Sequence, residues 1–150
     1  MDSCKSIAIE SVIKLSLELL NATQGAFLSA DTSSLTLRFD VVAIRHGVSE
    51  LLEQTSKKLL GGTVAFGDGV TGRAAITKKA QFSTRNSGGD MSHVVGDGTP
   101  NAVVAVPVMR GDSLLGVLTA VCFDGDLEFT CDSARQYQLA ATVVAELVSE

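Results

Sequence analysis

Residues 102–123 read AVVAVPVMRGDSLLGVLTAVCF and carry the clearest β-hairpin pattern in the chain. Two apolar runs rich in β-branched residues, Ala102–Met109 and Leu114–Phe123, flank the turn residues Arg110–Ser113. Apolar runs of this length on either side of a short glycine-containing segment are typical of two antiparallel strands joined by a turn. The sequence therefore predicts an antiparallel hairpin here.

A second hairpin pattern lies earlier in the chain. The apolar segment 25–29 leads into the turn-rich segment 31–34, and apolar residues then alternate with polar ones at Leu35, Leu37, Phe39 and Val41. Alternation with a period of two indicates a strand with one buried face, and it favours antiparallel pairing because strands of parallel sheets have continuous apolar runs. With helical spacing at 48–59, the sequence predicts an α+β fold with a central antiparallel sheet of about five to six strands.

Both ends of the chain have the apolar spacing of helices. Each end carries one full apolar stripe and a second, adjacent stripe, which includes Leu15 and Leu19 near the start and Leu139 and Val143 near the end. One stripe of each helix can pack on the domain, but the other would leave a larger apolar patch than monomers normally expose. We therefore expect a symmetric homodimer formed through the N- and C-terminal helices.

The composition fits one globular domain. The chain has 150 residues, of which 45% are hydrophobic, enough for one core but little more. We expect a single domain over residues 1–150, with an N-terminal helix at 1–20, a sheet core with a pocket at 21–132 and a C-terminal helix at 133–150. The 14 glycines beside only 2 prolines indicate many tight turns.

Charge and cysteine content restrict partners and compartment. The net charge of −5 and the scattered basic residues argue against direct binding of nucleic acid. The widely spaced Cys4, Cys122 and Cys131 form neither a disulfide framework nor a zinc motif. Glu10 and Lys14 interrupt the first apolar run, so neither a signal peptide nor a membrane span is expected. The sequence thus favours a cytoplasmic protein without a membrane partner.

Residues 67–72, GDGVTG, match the G-x-G-x-x-G pattern of dinucleotide-binding loops. That chemistry needs a parallel β-α-β unit, with the pyrophosphate at the helix N-terminus and an acidic residue about 20 positions further on. Asp90 has this spacing, but no long apolar strand precedes the loop. A glycine-rich turn that begins a short helix explains the same residues, and we favour that interpretation. The segment from Asp124 resembles a calcium loop, but it has Phe129 where glycine is required.

Four segments of the chain, in the correct order, resemble those of GAF domains, a family of small-molecule sensory domains related to PAS domains. Residues 66–82 resemble the family's glycine-containing turn, and 101–108 its strand with a hydrophobic-Pro-hydrophobic triplet. Residues 114–118 are similar to its strand with a hydrophobic-hydrophobic-Gly-hydrophobic start, and 129–140 to its closing segment. The resemblance covers about residues 20–148, nearly the whole chain.

The resemblance implies an antiparallel sheet with dimer-forming terminal helices on one face and a ligand pocket, roofed by short helices and loops, on the other. It also implies control of a signalling output domain, either separate or fused. Several signatures within the family are absent. Ser133 and Ala134 stand where cyclic-nucleotide-binding members have Asp-Glu, and no cysteine lies between Lys5 and Val121, where bilin-binding members need one. The several pocket cysteines of the methionine-sulfoxide-reducing members are also absent.

The candidate ligand site lies between the sheet and the polar, glycine-rich segment 83–101, which is longer than most connections in a compact domain. Its six candidate residues combine apolar contact area with a few polar groups, as small-ligand sites do: Phe82, Thr84, Arg85, Ser92, His93 and Val104. Arg85 is suited to hold an anionic group through two hydrogen bonds. Haem ligation through His93 stays open, and no cofactor is identified.

The residues and motifs of the sequence are compatible with two functions. The first is a cytoplasmic regulatory domain that binds an unidentified small molecule and acts through its dimerising terminal helices. The second is a dimerisation module that keeps the fold without binding a ligand. Because no nucleophile, base and orienting group can be assembled from the sequence, we expect no enzymatic activity.

Overall fold

The computed structural model describes residues 2–45, 47, 50–84, 102–123 and 129–149. Within these ranges the chain forms four helices and six strands. The helices are α1 (Ser3–Leu20), α2 (Glu50–Lys57), α3 (Gly69–Thr77) and α4 (Cys131–Ser149). The strands are β1 (Gln24–Asp31), β2 (Thr36–Ile44), β3 (Thr63–Ala65), β4 (Gln81–Thr84), β5 (Ala102–Arg110) and β6 (Ser113–Cys122).

All six strands join one antiparallel sheet in the order β3-β2-β1-β6-β5-β4. The hairpin predicted at 102–123 is the β5–β6 pair, in which Val106 lies opposite Leu118. Gly111 turns this hairpin with a φ of +60°, a backbone conformation that glycine adopts without steric cost. The structure confirms the predicted α+β fold with a central antiparallel sheet.

The terminal helices α1 and α4 contact each other and cover one face of the sheet. The buried stripe of α1 includes Ile9 and Ile13, and that of α4 includes Tyr137 and Val144. These side chains pack against strand residues of the same face, such as Leu118. We call this the terminal-helix layer, and it holds the larger of the two apolar clusters among the described residues.

Helix α3 covers the opposite face of the sheet. Its buried residues Val70 and Ala74 pack with Leu28 and Val103 in a second apolar cluster. Leu59, in the turn after α2, packs against the same cluster. We call this the α3 layer. The predicted division into terminal helices on one face and short helices on the other is therefore confirmed for the described residues.

Helix ends follow the expected capping chemistry. Asp2 accepts a hydrogen bond from the Lys5 backbone N–H (2.9 Å) at the start of α1. Thr130 Oγ1 accepts one from the Ser133 N–H (3.3 Å) at the start of α4. Helix α4 begins at Cys131, two residues earlier than predicted.

Among the described residues, no helix combines the length and hydrophobicity that crossing a bilayer requires.

Candidate functional site

The six predicted ligand-site residues are only partly covered by the structure. Arg85, Ser92 and His93 lie outside the described residues. Thr84 ends β4, where its backbone pairs with Ala102 of β5. For these four residues, a role in ligand binding stays a prediction.

Phe82 and Val104 lie opposite each other on β4 and β5. Val104 is fully buried in the terminal-helix layer, whereas Phe82 is 42% exposed and lines a shallow hollow with residues of α4. Neighbouring residues of a strand face opposite sides of a sheet, so Ser83 and Val103 are the pair directed toward the α3 layer. Phe82 and Val104 are predicted to line a pocket between the sheet and residues 83–101, on the face away from the terminal helices, but the structure places both on the face that the terminal helices cover.

Three buried polar atoms in the described part of the chain have no hydrogen-bond partner: Gln24 Nε2, Ser56 Oγ and Thr71 Oγ1. Gln24 lies on β1 opposite Val121, which belongs to the α3 layer. Thr71 lies on α3 one residue after Val70, and Ser56 lies on α2. Sequence reasoning missed Gln24, although its period-two spacing from Ala26 and Leu28 indicates a buried polar residue on an apolar strand face.

The second apolar stripes of the terminal helices lie exposed side by side. Leu19 is 72% exposed and Leu139 is 69% exposed, and with Leu15 and Val143 they line a groove between α1 and α4 of about 520 Å³. Most of the side chains that line the groove are apolar, and the few polar ones include Ser16. We call this surface the α1–α4 groove. Its position matches the two-stripe pattern of the sequence.

An ion pair joins α2 to α1 across the edge of the sheet. Lys57 Nζ donates a hydrogen bond to Glu10 Oε1 (2.9 Å) and another to the Val42 carbonyl oxygen, while Lys14 lies 3.5 Å from Glu10 Oε2. Partial burial raises the pKa of Glu10, but the hydrogen bond and charge of Lys57, together with the charge of Lys14, outweigh it and hold the pKa below its ordinary value. Glu10 is therefore ionised at neutral pH.

The GDGVTG segment is a structural turn before a short helix. Gly67 and Gly69 have φ values of +87° and +64°, and the Gly67 N–H donates to the Gly72 carbonyl oxygen (2.8 Å). A Cβ on Gly72 would lie 2.5 Å from the Ala65 carbonyl oxygen, so only glycine fits there. The preceding strand, β3, is a three-residue antiparallel edge strand. The motif therefore lacks the parallel strand of a dinucleotide-binding unit.

Cys4, Cys122 and Cys131 form no disulfide bond with one another. Cys122 is fully buried in the terminal-helix layer, whereas Cys4 and Cys131 are exposed. Cys131 lines the hollow beside Phe82. No group of three or more potential metal-ligating side chains is found among the described residues.

Solved structures reveal the fold of the chain. No family model matches the sequence, and no curated protein matches it significantly. The GAF domain of a phosphoenolpyruvate-protein phosphotransferase from Acinetobacter superposes with a TM-score of 0.74 at 10% identity, covering 97% of this chain and 82% of that one. The second GAF domain of DevS from Mycobacterium smegmatis has a TM-score of 0.70 at 18% identity, covering 97% and 95%.

Enzymes share this architecture. A free methionine-R-sulfoxide reductase from Neisseria meningitidis superposes with a TM-score of 0.71 at 15% identity, covering 97% of this chain and 78% of that one. The expectation that the chain is not an enzyme, which rested on the absence of a recognisable nucleophile, base and orienting group, is therefore wrong, because free methionine-R-sulfoxide reductases are among its structural neighbours. GAF domains of larger proteins and free methionine-R-sulfoxide reductases are built on one architecture, and that architecture, the GAF fold, is the fold of this chain.

Proposed function

We propose that this chain is a cytoplasmic signal-sensing or regulatory domain. It works as a homodimer through the α1–α4 groove, and it binds a small molecule on the α3 side of its sheet. The dimer would pass the state of the pocket to an output domain, either fused or separate. The observation that carries the proposal is the exposed apolar groove between the two terminal helices.

A second copy of the chain is the occupant that best suits the groove. The groove combines one exposed stripe from each terminal helix, so two copies related by a twofold axis can bury it against itself, each stripe meeting its counterpart. Leu15, Leu19 and Leu139 are each about two-thirds exposed. Apolar side chains this exposed and this close together are typical of an interaction surface rather than of the exterior of a monomer.

The groove gives a direct test by analytical ultracentrifugation. Leu139 is 69% exposed, so burying this exposed part in a dimer contributes about 1–2 kcal/mol of binding free energy per copy, or about 2–4 kcal/mol per dimer. Leu139→Ala should therefore raise the dimer Kd by about 30- to 700-fold. The control is Ile76→Ala, because Ile76 is 60% exposed on α3, at the opposite face. A monomeric wild type, or equal Kd values for both variants, would contradict the dimer.

The ligand half of the proposal is tested separately by a thermal-shift screen. A ligand present at 100 times its Kd stabilises the folded state by about 2.7 kcal/mol, which is a readily measured increase in Tm. A dimer that shows no shift with any small molecule would support the alternative, a dimerisation module that keeps the fold without a ligand. The dimer and the ligand are thus independent parts of the proposal.

A further inference from the structure

The sheet face that carries the terminal-helix layer becomes polar toward the turn between β1 and β2. Phe27 is fully buried beneath the terminal helices, but the next residues of β1 on that face are Ser29 and Asp31. On β2, Arg38 lies opposite Ser29, and Thr36 lies opposite Asp31. The strand residues between them pack in the α3 layer: Leu28, Ala30 and Leu37. This end of the sheet therefore presents a polar surface on the face opposite the α3 layer.

A hollow of about 270 Å³ lies on this polar surface. Six residues of three neighbouring strands line it: Ser29, Ala30, Asp31, Thr36, Arg38 and Thr63. Thr63 lies opposite Arg38 on the edge strand β3, so hydroxyls from three strands surround one guanidinium and one carboxylate. Sites for drug-sized ligands have volumes of roughly 300–1,000 Å³, so this hollow suits a molecule of only a few non-hydrogen atoms. We call it the Asp31–Arg38 hollow.

The guanidinium of Arg38 is fixed at one nitrogen and open at the other two. Its Nε donates a hydrogen bond to Asp40 Oδ1 (2.9 Å), which orients the group. Neither Nη group has a partner among the described residues, and the Arg38 side chain is exposed. A carboxylate can accept hydrogen bonds from these remaining N–H groups, in the geometry that a guanidinium favours.

The carboxylate of Asp31 likewise has one occupied and one open oxygen. Oδ1 accepts hydrogen bonds from the Ser33 hydroxyl (2.6 Å), the Ser33 N–H (3.0 Å) and the Ser34 N–H (3.2 Å). The bond from the Ser33 hydroxyl contributes most, and together they hold the pKa of Asp31 below its ordinary value. Asp31 is therefore ionised at neutral pH, and its Oδ2 has no partner in the described part of the chain.

Arg38 and Asp31 have opposite charges but do not pair with each other. Arg38 pairs with Asp40, and Asp31 lies diagonally across the two strands, opposite Thr36. Diagonal neighbours have Cα atoms roughly 7–8 Å apart, which leaves space for a small molecule between the two side chains. A ligand with both charges would meet a countercharge at each end, whereas an ion of one sign would also meet a like charge, which is unfavourable.

We propose that the Asp31–Arg38 hollow binds a small zwitterion, a molecule that carries both a carboxylate and a primary ammonium group. The Nη groups of Arg38 donate hydrogen bonds to its carboxylate, and Asp31 Oδ2 accepts one from its ammonium group. The hydroxyls of Ser29 and Thr63 lie around the bound molecule. The inference goes beyond the proposed function, because the hollow lies on the sheet face opposite the α3 layer and shares no lining residue with the α1–α4 groove.

The first experiment compares probes of matched size by NMR titration of the ¹⁵N-labelled chain at millimolar concentration. Glycine and β-alanine are the zwitterions, acetate and propionate carry only the carboxylate, and ethylammonium carries only the ammonium group. A zwitterion should shift the amide signals of Thr36, Arg38 and Thr63, with an affinity about tenfold or more above that of each singly charged probe. Equal affinity for acetate, shifts confined to other residues, or no shift with either zwitterion overturns the inference.

The second experiment removes each charge in turn. Asp31→Asn keeps the turn, because the asparagine Oδ1 can accept the same hydrogen bonds from Ser33 and Ser34. It should bind glycine about tenfold more weakly than the wild type does, and no better than it binds acetate. Arg38→Gln, at an exposed position, should weaken glycine binding to a similar extent. Wild-type affinity in either variant overturns the inference.

The control is a second exposed pair of opposite charges, on α4. Arg135 lies 3.2 Å from Asp132, so these two charges already pair with each other. Arg135→Gln should therefore bind glycine as the wild type does, and an equal loss in this variant would show that binding depends on net charge instead of on the hollow. The comparison of probes in the wild type needs no variant, so the inference can be refuted even where a substitution destabilises the fold.

Discussion

Gly25 lies where the two terminal helices meet the sheet, and its substitution tests how the terminal-helix layer is packed. A Cβ at this position would lie 2.6 Å from Ile13 Cγ2, 3.0 Å from Tyr137 Oη and 3.1 Å from the Thr119 carbonyl oxygen. Ile13 and Tyr137 are fully buried, so neither can move into solvent. The added methyl group must therefore displace α1 at Ile13 and also disrupt the Tyr137–Thr119 hydrogen bond.

The expected cost of Gly25→Ala follows from these contacts. Overpacking of a core costs about 1–3 kcal/mol, and loss of a buried hydrogen bond costs about 1–3 kcal/mol. We expect the free energy of unfolding to fall by about 2–5 kcal/mol, a large part of the roughly 5–15 kcal/mol that stabilises a typical domain. Urea unfolding followed by circular dichroism measures it, at one protein concentration because a dimer's stability depends on concentration.

Two further variants make the argument refutable. Gly111→Ala is the control, because no atom lies within 4 Å of its Cβ and only the left-handed backbone, with φ of +60°, opposes the substitution. It should cost about 1 kcal/mol. In a Tyr137→Phe background, Gly25→Ala should cost less than in the wild type, since the hydroxyl it would meet is absent. A cost no larger than that of Gly111→Ala, or an equal cost in both backgrounds, would refute the packing argument.

Three other substitutions test separate parts of the fold. Gly72→Ala would place a Cβ 2.5 Å from the Ala65 carbonyl oxygen, so we expect a loss of about 2 kcal/mol or more, and an unchanged urea midpoint would contradict it. The lowered pKa of Glu10 means that its pair with Lys57 stabilises the protein above the unfolded-state pKa, near the ordinary value of 4.5, and that this contribution is lost as the pH falls through the lower folded-state pKa. Glu10→Gln should thus be less stable than the wild type at pH 7 and equally stable in strong acid, and a deficit that persists in acid would point to packing instead. Leu35→Gly should raise Tm slightly because Leu35 has a φ of +56°, and a clear decrease would show that its side chain contributes more than the strain costs.

The sequence was sufficient for the element order because the hydrophobic period changes clearly along the chain. Period-two alternation at Leu35–Val41 and the long apolar runs flanking Arg110–Ser113 each became a strand pair in the expected place. The second apolar stripes of the terminal helices were also correctly read as exposed, since Leu19 and Leu139 remain outside the core. These features depend on local spacing, which a single sequence contains.

The placement of the candidate site depends on register, which a single sequence does not contain. A shift of one residue along β4 exchanges Phe82 with Ser83, and thereby exchanges the two faces of the sheet. Apolar runs such as β5, buried on both faces, give no alternation from which the face of Val104 could be read. The hydrogen-bond state of Gln24 likewise depends on which strands flank β1, and β6 is almost a hundred residues away.

The sheet separates two apolar layers, and α2 provides a polar connection between them. Leu59, just after α2, packs in the α3 layer, whereas Lys57 at the end of α2 reaches Glu10 on α1. Any displacement of α2 would therefore also move Lys57 relative to Glu10, and would move charge beside a helix that lines the α1–α4 groove. The proposed sensory function needs a contact between the two faces of the sheet, and among the described residues the Lys57–Glu10 pair joins α2 to α1.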